Sequence, residues 1–151
     1  MDSVYIKIED SETVSCNVNN NSVEFGSLSD IYNGTVFYGR DASTGNNHFS
    51  IGQWGGPDLK LYFHPSWNSR PMEEGKYQIV GFSSLSSASS RYSAAITTIS
   101  QSVFYTAYEG SVFISKSTSG KLVAKFCKVQ MEGSWGNRTY TTTASGTLIQ
   151  P

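Results

Sequence analysis

The chain is poor in charge, proline, cysteine and histidine, and each shortage removes a class of function. Charged residues make up 15% of its 151 residues and the net charge is −1, well below the roughly 25% charged fraction of an ordinary soluble domain. No basic field exists to gather nucleic acid or anionic lipid, so nucleic-acid binding is excluded as an expectation. No apolar run approaches the roughly 18 residues needed to cross a bilayer as a helix, and no transmembrane segment is expected. Only His48 and His64 are available as imidazoles, and neither stands at a ligand spacing from Cys16 or Cys127, so no metal site and no cofactor are expected. Apolar spacing with a helical period is missing along the whole chain.

The polarity that remains is hydroxyl-based: 25 Ser and 12 Thr, side chains suited to solvent-facing strand positions and turns. Apolar residues alternate with polar ones in short runs punctuated by glycine. Val4, Ile6 and Ile8 form one run, Val14, Cys16 and Val18 another, with Cys16 pointing inward. Val23 and Phe25 follow, then Thr35–Arg40 after the turn signal Asn33-Gly34, and His48–Gly52 beyond the polar connection Asp41–Asn47, read as a solvated hairpin loop. Leu59–His64, Tyr77–Val80, Tyr92–Thr98 and Val103–Ala107 continue the series, with Ser83–Ser93 as an exposed Ser-rich loop. The chain closes with Ser111–Lys116, a strand from Lys121 to Met131 that is buried on both faces or bulged, and Thr141–Ile149. This predicts a single all-β domain of nine to eleven strands, an antiparallel sandwich or a calycin-like barrel. A chain of this length buries a sufficient core without staples. The two cysteines lie 111 residues apart; they are either a disulfide closing a long loop or two buried thiols acting as small hydrophobes.

The order of these elements resembles the small all-β domains of lipoproteins and secreted proteins from Bacteroidetes-type bacteria. The residues that carry the likeness are Asp58–Phe63 before Gly75-Lys76-Tyr77, then the closing strands Gly110–Ile114, Ser119–Phe126 and Ser145-Gly146-Thr147-Leu148-Ile149. Gly120 and Phe126 stand further apart than that pattern has them. The resemblance implies an extracytoplasmic protein, often tethered through a lipidated cysteine upstream; no such cysteine is present here. No basic and apolar leader follows Met1, so an extracytoplasmic location supposes that Met1 replaces a removed signal.

Catalytic signatures are missing: there is no nucleophile elbow, phosphate loop or dinucleotide fingerprint, and His48 and His64 read as exposed strand-end residues. Asn20, Asn33 and Asn137 head glycosylation-type triplets that arise readily in a Ser/Thr-rich chain. Binding is the better expectation. Trp54, Trp67 and Trp135 sit among small residues in loops or at strand ends, where an indole either stacks on a sugar or partner or covers an open end of the fold. Tyr62, Arg70, Arg138 and Tyr140 are the nearby hydrogen-bonding candidates. The expected function is a non-catalytic extracytoplasmic domain, an accessory or surface-interaction module with a protein or glycan partner. The alternatives are a glycan or small-ligand module using these tryptophans and, more weakly, a barrel-type carrier of an apolar ligand.

Overall fold

A computed structural model describes residues 16–26, 31–52 and 58–151. Trp54 and the expected strands at residues 4–9 and around Val14 lie outside the described residues. The strands are β1 (Ser22–Phe25), β2 (Ile31–Asn33), β3 (Val36–Arg40), β4 (Asn47–Gly52), β5 (Asp58–Phe63), β6 (Gly75–Ile79), β7 (Ser93–Ser100), β8 (Val103–Ala107), β9 (Ser111–Lys116), β10 (Leu122–Trp135) and β11 (Arg138–Ile149). Two 3-10 turns, Pro65–Ser69 and Phe82–Ser84, complete the elements. The all-β expectation holds, with eleven strands among the described residues.

All eleven strands belong to one sheet, with the order β2-β1-β11-β10-β9-β6-β7-β5-β4-β3 and β8 inserted between β10 and β7. On one flank, β10 pairs with β11 throughout; on the other it pairs first with β9 and then with β8. β7 is arranged likewise, with β5 on one flank and β6 then β8 on the other. The sheet therefore fans: β10 and β7 are separated by one strand in one half and by two in the other. This geometry dictates a departure from the purely antiparallel expectation. Because β8 is antiparallel to both β10 and β7, those two run the same way, and the two-strand route between them must contain one parallel pair. That pair is β6–β7, two residues long (Gln78↔Ser93, Ile79↔Ala94).

The fan curls on itself until β2 lies against β4, and side chains from the two halves fill the space between. Phe49, Ile51, Leu59, Leu61, Phe63 and Ile96 face Val23, Val112, Ile114, Ala124, Phe126 and Leu148, all buried in one cluster. A second, outer cluster of Tyr62, Leu85 and Ala95, flanked by Val80 and Phe82, seals the back of β5 and β7. Leu85 comes from the Ser-rich loop, so that loop is a lid on the sheet and not only solvated chain. β7 is consequently buried on both faces, which is why Ser93–Ser100 shows little alternation.

β10 carries the expected bulge. Its register against β11 breaks between Phe126 and Val129, so Cys127 and Lys128 oppose Ser145 alone. Lys128 adopts φ 49°, and its N–H donates to Ser145 Oγ at 2.8 Å. Cys127 is disulfide-bonded to Cys16, with Cα atoms 5.5 Å apart, which settles the choice between a bridge and free thiols. The expectation that Cys16 sits inward on a strand is corrected: it is half-buried in a segment outside the sheet whose Val18 N–H turns back to the Cys16 carbonyl, and it is bridged to the bulge. Two further bonds secure that segment, from Thr147 Oγ1 to the Val18 carbonyl (3.4 Å) and from Ile149 N to Asn21 Oδ1 (2.9 Å). Beside the bulge, Gly146 is required by packing: a Cβ there would stand 2.6 Å from the Phe126 ring.

Candidate functional site

The two long C-terminal strands project as a hairpin beyond the core. Its loop is Gly136-Asn137, with Gly136 at φ 62°, the left-handed conformation that a tight primed turn demands and glycine supplies most readily. Paired residues of antiparallel strands share a face, and residues two apart do as well. Trp135 is opposite Arg138 and Gly133 is opposite Tyr140, so Trp135, Arg138 and Tyr140 lie on one face of the hairpin. Trp135 is 64% exposed, Arg138 is exposed, and Tyr140 is half-buried against the core. The stem is held close: Gly133 also pairs with Tyr105 of β8, and a Cβ on Gly133 would clash with the Phe104 carbonyl.

On the outer face of the same region, Phe104 is 48% exposed and is flanked in register by Ile99 of β7 and Ser134 of β10. Alternation along β8 buries Val103, Tyr105 and Ala107 and turns Phe104 and Thr106 outward, with exposed Tyr108 just past the strand end. Ile99, Phe104, Tyr108 and Trp135 are four of the five large apolar side chains exposed among the described residues. Ile99 and Phe104 pair on the outer face, Trp135 is on the other face of the hairpin, and Tyr108 lies past the end of β8 beside Gly81.

The other proposed binding residues are dispersed. Trp67 is 1% exposed: the 3-10 turn at Pro65–Ser69 drives its indole inward, where Nε1 donates to the Arg91 carbonyl at 2.6 Å and the ring packs on Tyr77 and Tyr92. It closes an end of the core and cannot stack on a ligand. Tyr62 is likewise buried, stacked on His48; burial first, then the Asp41 charge, push its hydroxyl up to about 12, against a lowering bond with Thr97. Arg70 lines a cleft elsewhere, with Lys116 and Tyr38. Lys116 and Tyr38 had no local signal in the sequence; only the packing of distant strands brings them together.

The histidine expectation is also corrected. His48 is 5% exposed, and its Nδ1 must carry the proton because its partner, the Gly39 carbonyl 2.9 Å away, only accepts. His64 caps the Pro65–Ser69 turn: Nε2 donates to the Ala88 carbonyl (2.9 Å), while Nδ1 accepts from both the Ser66 hydroxyl (2.9 Å) and the Ser66 N–H (3.2 Å). The ring nitrogen that a serine nucleophile would need is thus shared with a backbone cap.

The connection Asp41–Asn47 is organised around a carboxylate and is not merely solvated. Asp41 is 6% exposed; its Oδ2 accepts from the backbone N–H and hydroxyl of both Ser43 and Thr44, and Oδ1 lies 3.7 Å from Lys60 Nζ. Burial alone would raise its pKa, but those hydrogen bonds, with the charge of His48, hold it down from 3.8 to about 2. The carboxylate's contribution to stability is therefore present in full above the unfolded value and is lost as pH falls through about 2. Urea midpoints measured between about pH 6 and about pH 2 are expected to show this carboxylate costing roughly 2 kcal/mol on acidification, and Asp41→Asn to remove that component. A variant with the full acid sensitivity of the parent would refute it.

Behind this connection, Arg40, Asn46, Asn68 and Phe82 line a cleft of about 550 Å³. Arg40 is committed there, donating to the Asn68 carbonyl at 2.6 Å. Among the described residues there is no group of three or more histidine, cysteine or acidic side chains able to hold a metal, and no helix long and apolar enough to cross a membrane. No family model, curated protein or solved structure matches the chain.

Proposed function

We propose that the chain is a non-catalytic, extracytoplasmic recognition domain, a surface-interaction module whose contact element is the β10–β11 hairpin with the adjoining face of β8. One observation carries the proposal: Trp135, the most exposed large apolar side chain among the described residues at 64%, stands at the tip of the longest paired element in the sheet. An indole held in water by a rigid stem costs hydration free energy that burial against a partner returns, and tryptophan and arginine are the side chains most often found as interface anchors. Ile99 and Phe104 are exposed on the opposite face of the same region, so a partner that engages both wraps the edge of the sheet. The disulfide supports an oxidising compartment. The use of His64 Nδ1 as a backbone cap and the burial of His48 support a non-catalytic reading. The core side chains packed between the two halves of the sheet weigh against an apolar-ligand carrier.

A second reading, a glycan as the partner, is favoured by what shares the Trp135 face. Arg138 stands opposite the indole and Tyr140 two residues on, an aromatic platform beside hydrogen-bond donors. Glycan-array binding followed by tryptophan fluorescence titration separates the readings. On the glycan reading one sugar class binds and shifts the emission, and Trp135→Ala weakens it by roughly 2 kcal/mol or more, about thirtyfold. No binding and no spectral change on any sugar removes the glycan. For a protein partner, the same Trp135→Ala and a Phe104→Ser variant must both weaken its capture, and if neither does, the hairpin is not the contact element.

A further inference from the structure

At the opposite end of the sheet from β7 residue Ile99, five strands and turns converge on a second cleft, of about 300 Å³. Tyr38 comes from β3, Arg70 and Met72 from the chain after the Pro65–Ser69 turn, Lys116 from the end of β9, Leu122 from the start of β10, and Gln150 from beyond β11. Two cations thus reach the cleft from segments distant in sequence, and no carboxylate lines it. Both Arg70 and Lys116 are exposed; their backbones serve the fold, the Arg70 N–H donating to the Trp67 carbonyl and Lys116 pairing with Leu122 in the β9–β10 ladder. Gln150 is oriented by accepting the Leu122 N–H at Oε1, 3.0 Å, so its amide NH₂ remains a donor. Burial raises the Tyr38 hydroxyl's pKa, which keeps it protonated and able to donate. The donors are therefore a guanidinium, an ammonium, a phenol and a primary amide, set around the apolar surface of Met72 and Leu122.

That combination selects its ligand by charge and size. Paired cations without a competing acid call for an anion, and a guanidinium fork matches a carboxylate in two parallel hydrogen bonds. Neutral donors and an apolar floor suit a small body with hydroxyls on its edges and carbon on its face, and the volume lies at the lower end of ligand pockets. We infer that this cleft is a binding site for a small hydroxylated carboxylate of hexuronate size, with Arg70 and Lys116 on the carboxylate and Tyr38 and Gln150 on the hydroxyls. The site is separate from the hairpin, so the inference does not rest on the Trp135 proposal.

The test is an NMR titration of the isotopically labelled full chain with glucuronate, glucose and acetate in parallel. Glucuronate is expected to shift the resonances of Arg70, Lys116 and Gly120 saturably, with glucose and acetate each weaker by about tenfold or more. Arg70→Gln and Lys116→Gln, which alter exposed side chains, should each weaken glucuronate by about tenfold while leaving the melting temperature unchanged, and Trp135→Ala should change nothing. Glucose binding as well as glucuronate would overturn the anion assignment, and acetate binding as well would overturn the hexuronate size. The absence of a saturable shift at millimolar glucuronate, or shifts centred on Arg138, would overturn the site itself.

Discussion

Replacing Cys16 and Cys127 together by serine is expected to lower the stability of the fold by roughly 4 to 5 kcal/mol. The bridge spans 111 residues, nearly three quarters of the chain, and the entropy that a cross-link removes from the unfolded ensemble grows with the loop it closes. The native state should change little. The bulge is held independently by the Lys128 N–H to Ser145 Oγ bond, and the segment that carries Cys16 keeps its bonds to Thr147 and Ile149. The measurement is urea unfolding of the oxidised parent, the reduced parent and the double variant: the last two should agree, with a midpoint well below the first. In thermal terms the drop corresponds to roughly 10 to 20 °C for a domain of this size. A loss under about 1 kcal/mol would show that the unfolded chain already keeps its ends together.

Trp67→Ala is expected to cost about as much, roughly 3 to 5 kcal/mol, by a different route. The indole is 1% exposed, wedged between Tyr77 and Tyr92 at ring-centroid distances of 5.9 and 5.6 Å, with the Arg91 guanidinium 5.8 Å above it. Truncation leaves a cavity that its two aromatic neighbours, each tied elsewhere, cannot collapse into: the Tyr77 hydroxyl donates to the Glu73 carbonyl at 2.6 Å, and the Tyr92 hydroxyl to the Glu73 carboxylate at 2.5 Å. It also strips the Arg91 carbonyl of its 2.6 Å donor, a further cost of about 1 kcal/mol or more. Trp67→Phe restores much of the volume but not the bond and should fall between. Denaturant midpoints and near-ultraviolet circular dichroism report both effects. Trp135→Ala is the control: at 64% exposure its truncation should move stability by no more than about 0.5 kcal/mol. Equal losses at the two tryptophans would contradict the distinction drawn between plug and platform.

That distinction also marks where sequence reasoning succeeds and where it stops. Alternation over Leu59–Phe63, the glycine-led strand at Ser111–Lys116 and the doubled apolar positions around Cys127 locate strands and even the bulge, because each is a property of neighbouring residues. Trp135, Arg138 and Tyr140 are legible as neighbours only: the expected strands stop at Met131 and resume at Thr141, whereas β10 runs on to Trp135 and β11 begins at Arg138, and that longer pairing is what sets the three on one face. What covers a face is not local. Trp67 and Trp135 have similarly small, polar neighbours, yet a 3-10 turn buries one and a hairpin exposes the other. His48 is packed by the rings of Tyr62 and Phe37, and Arg70 shares a cleft with Lys116 only because the end of β9 packs beside a turn more than forty positions earlier in the chain.

The fan of the sheet has a consequence for how the molecule meets its neighbours in a crowded solution. Because β8 and the β9–β6 pair are both spliced between β10 and β7, nine of the eleven strands have partners on both flanks, and unpaired backbone remains along β2 and β3 among the described residues. Those two strands are three and five residues long, and the curl brings β2 against β4. A chain this rich in serine and threonine, with so few charges to repel its copies, would be prone to ribbon-like growth if it presented a long open margin. Edge strands this short, with one of them turned against β4, leave little open margin for such growth.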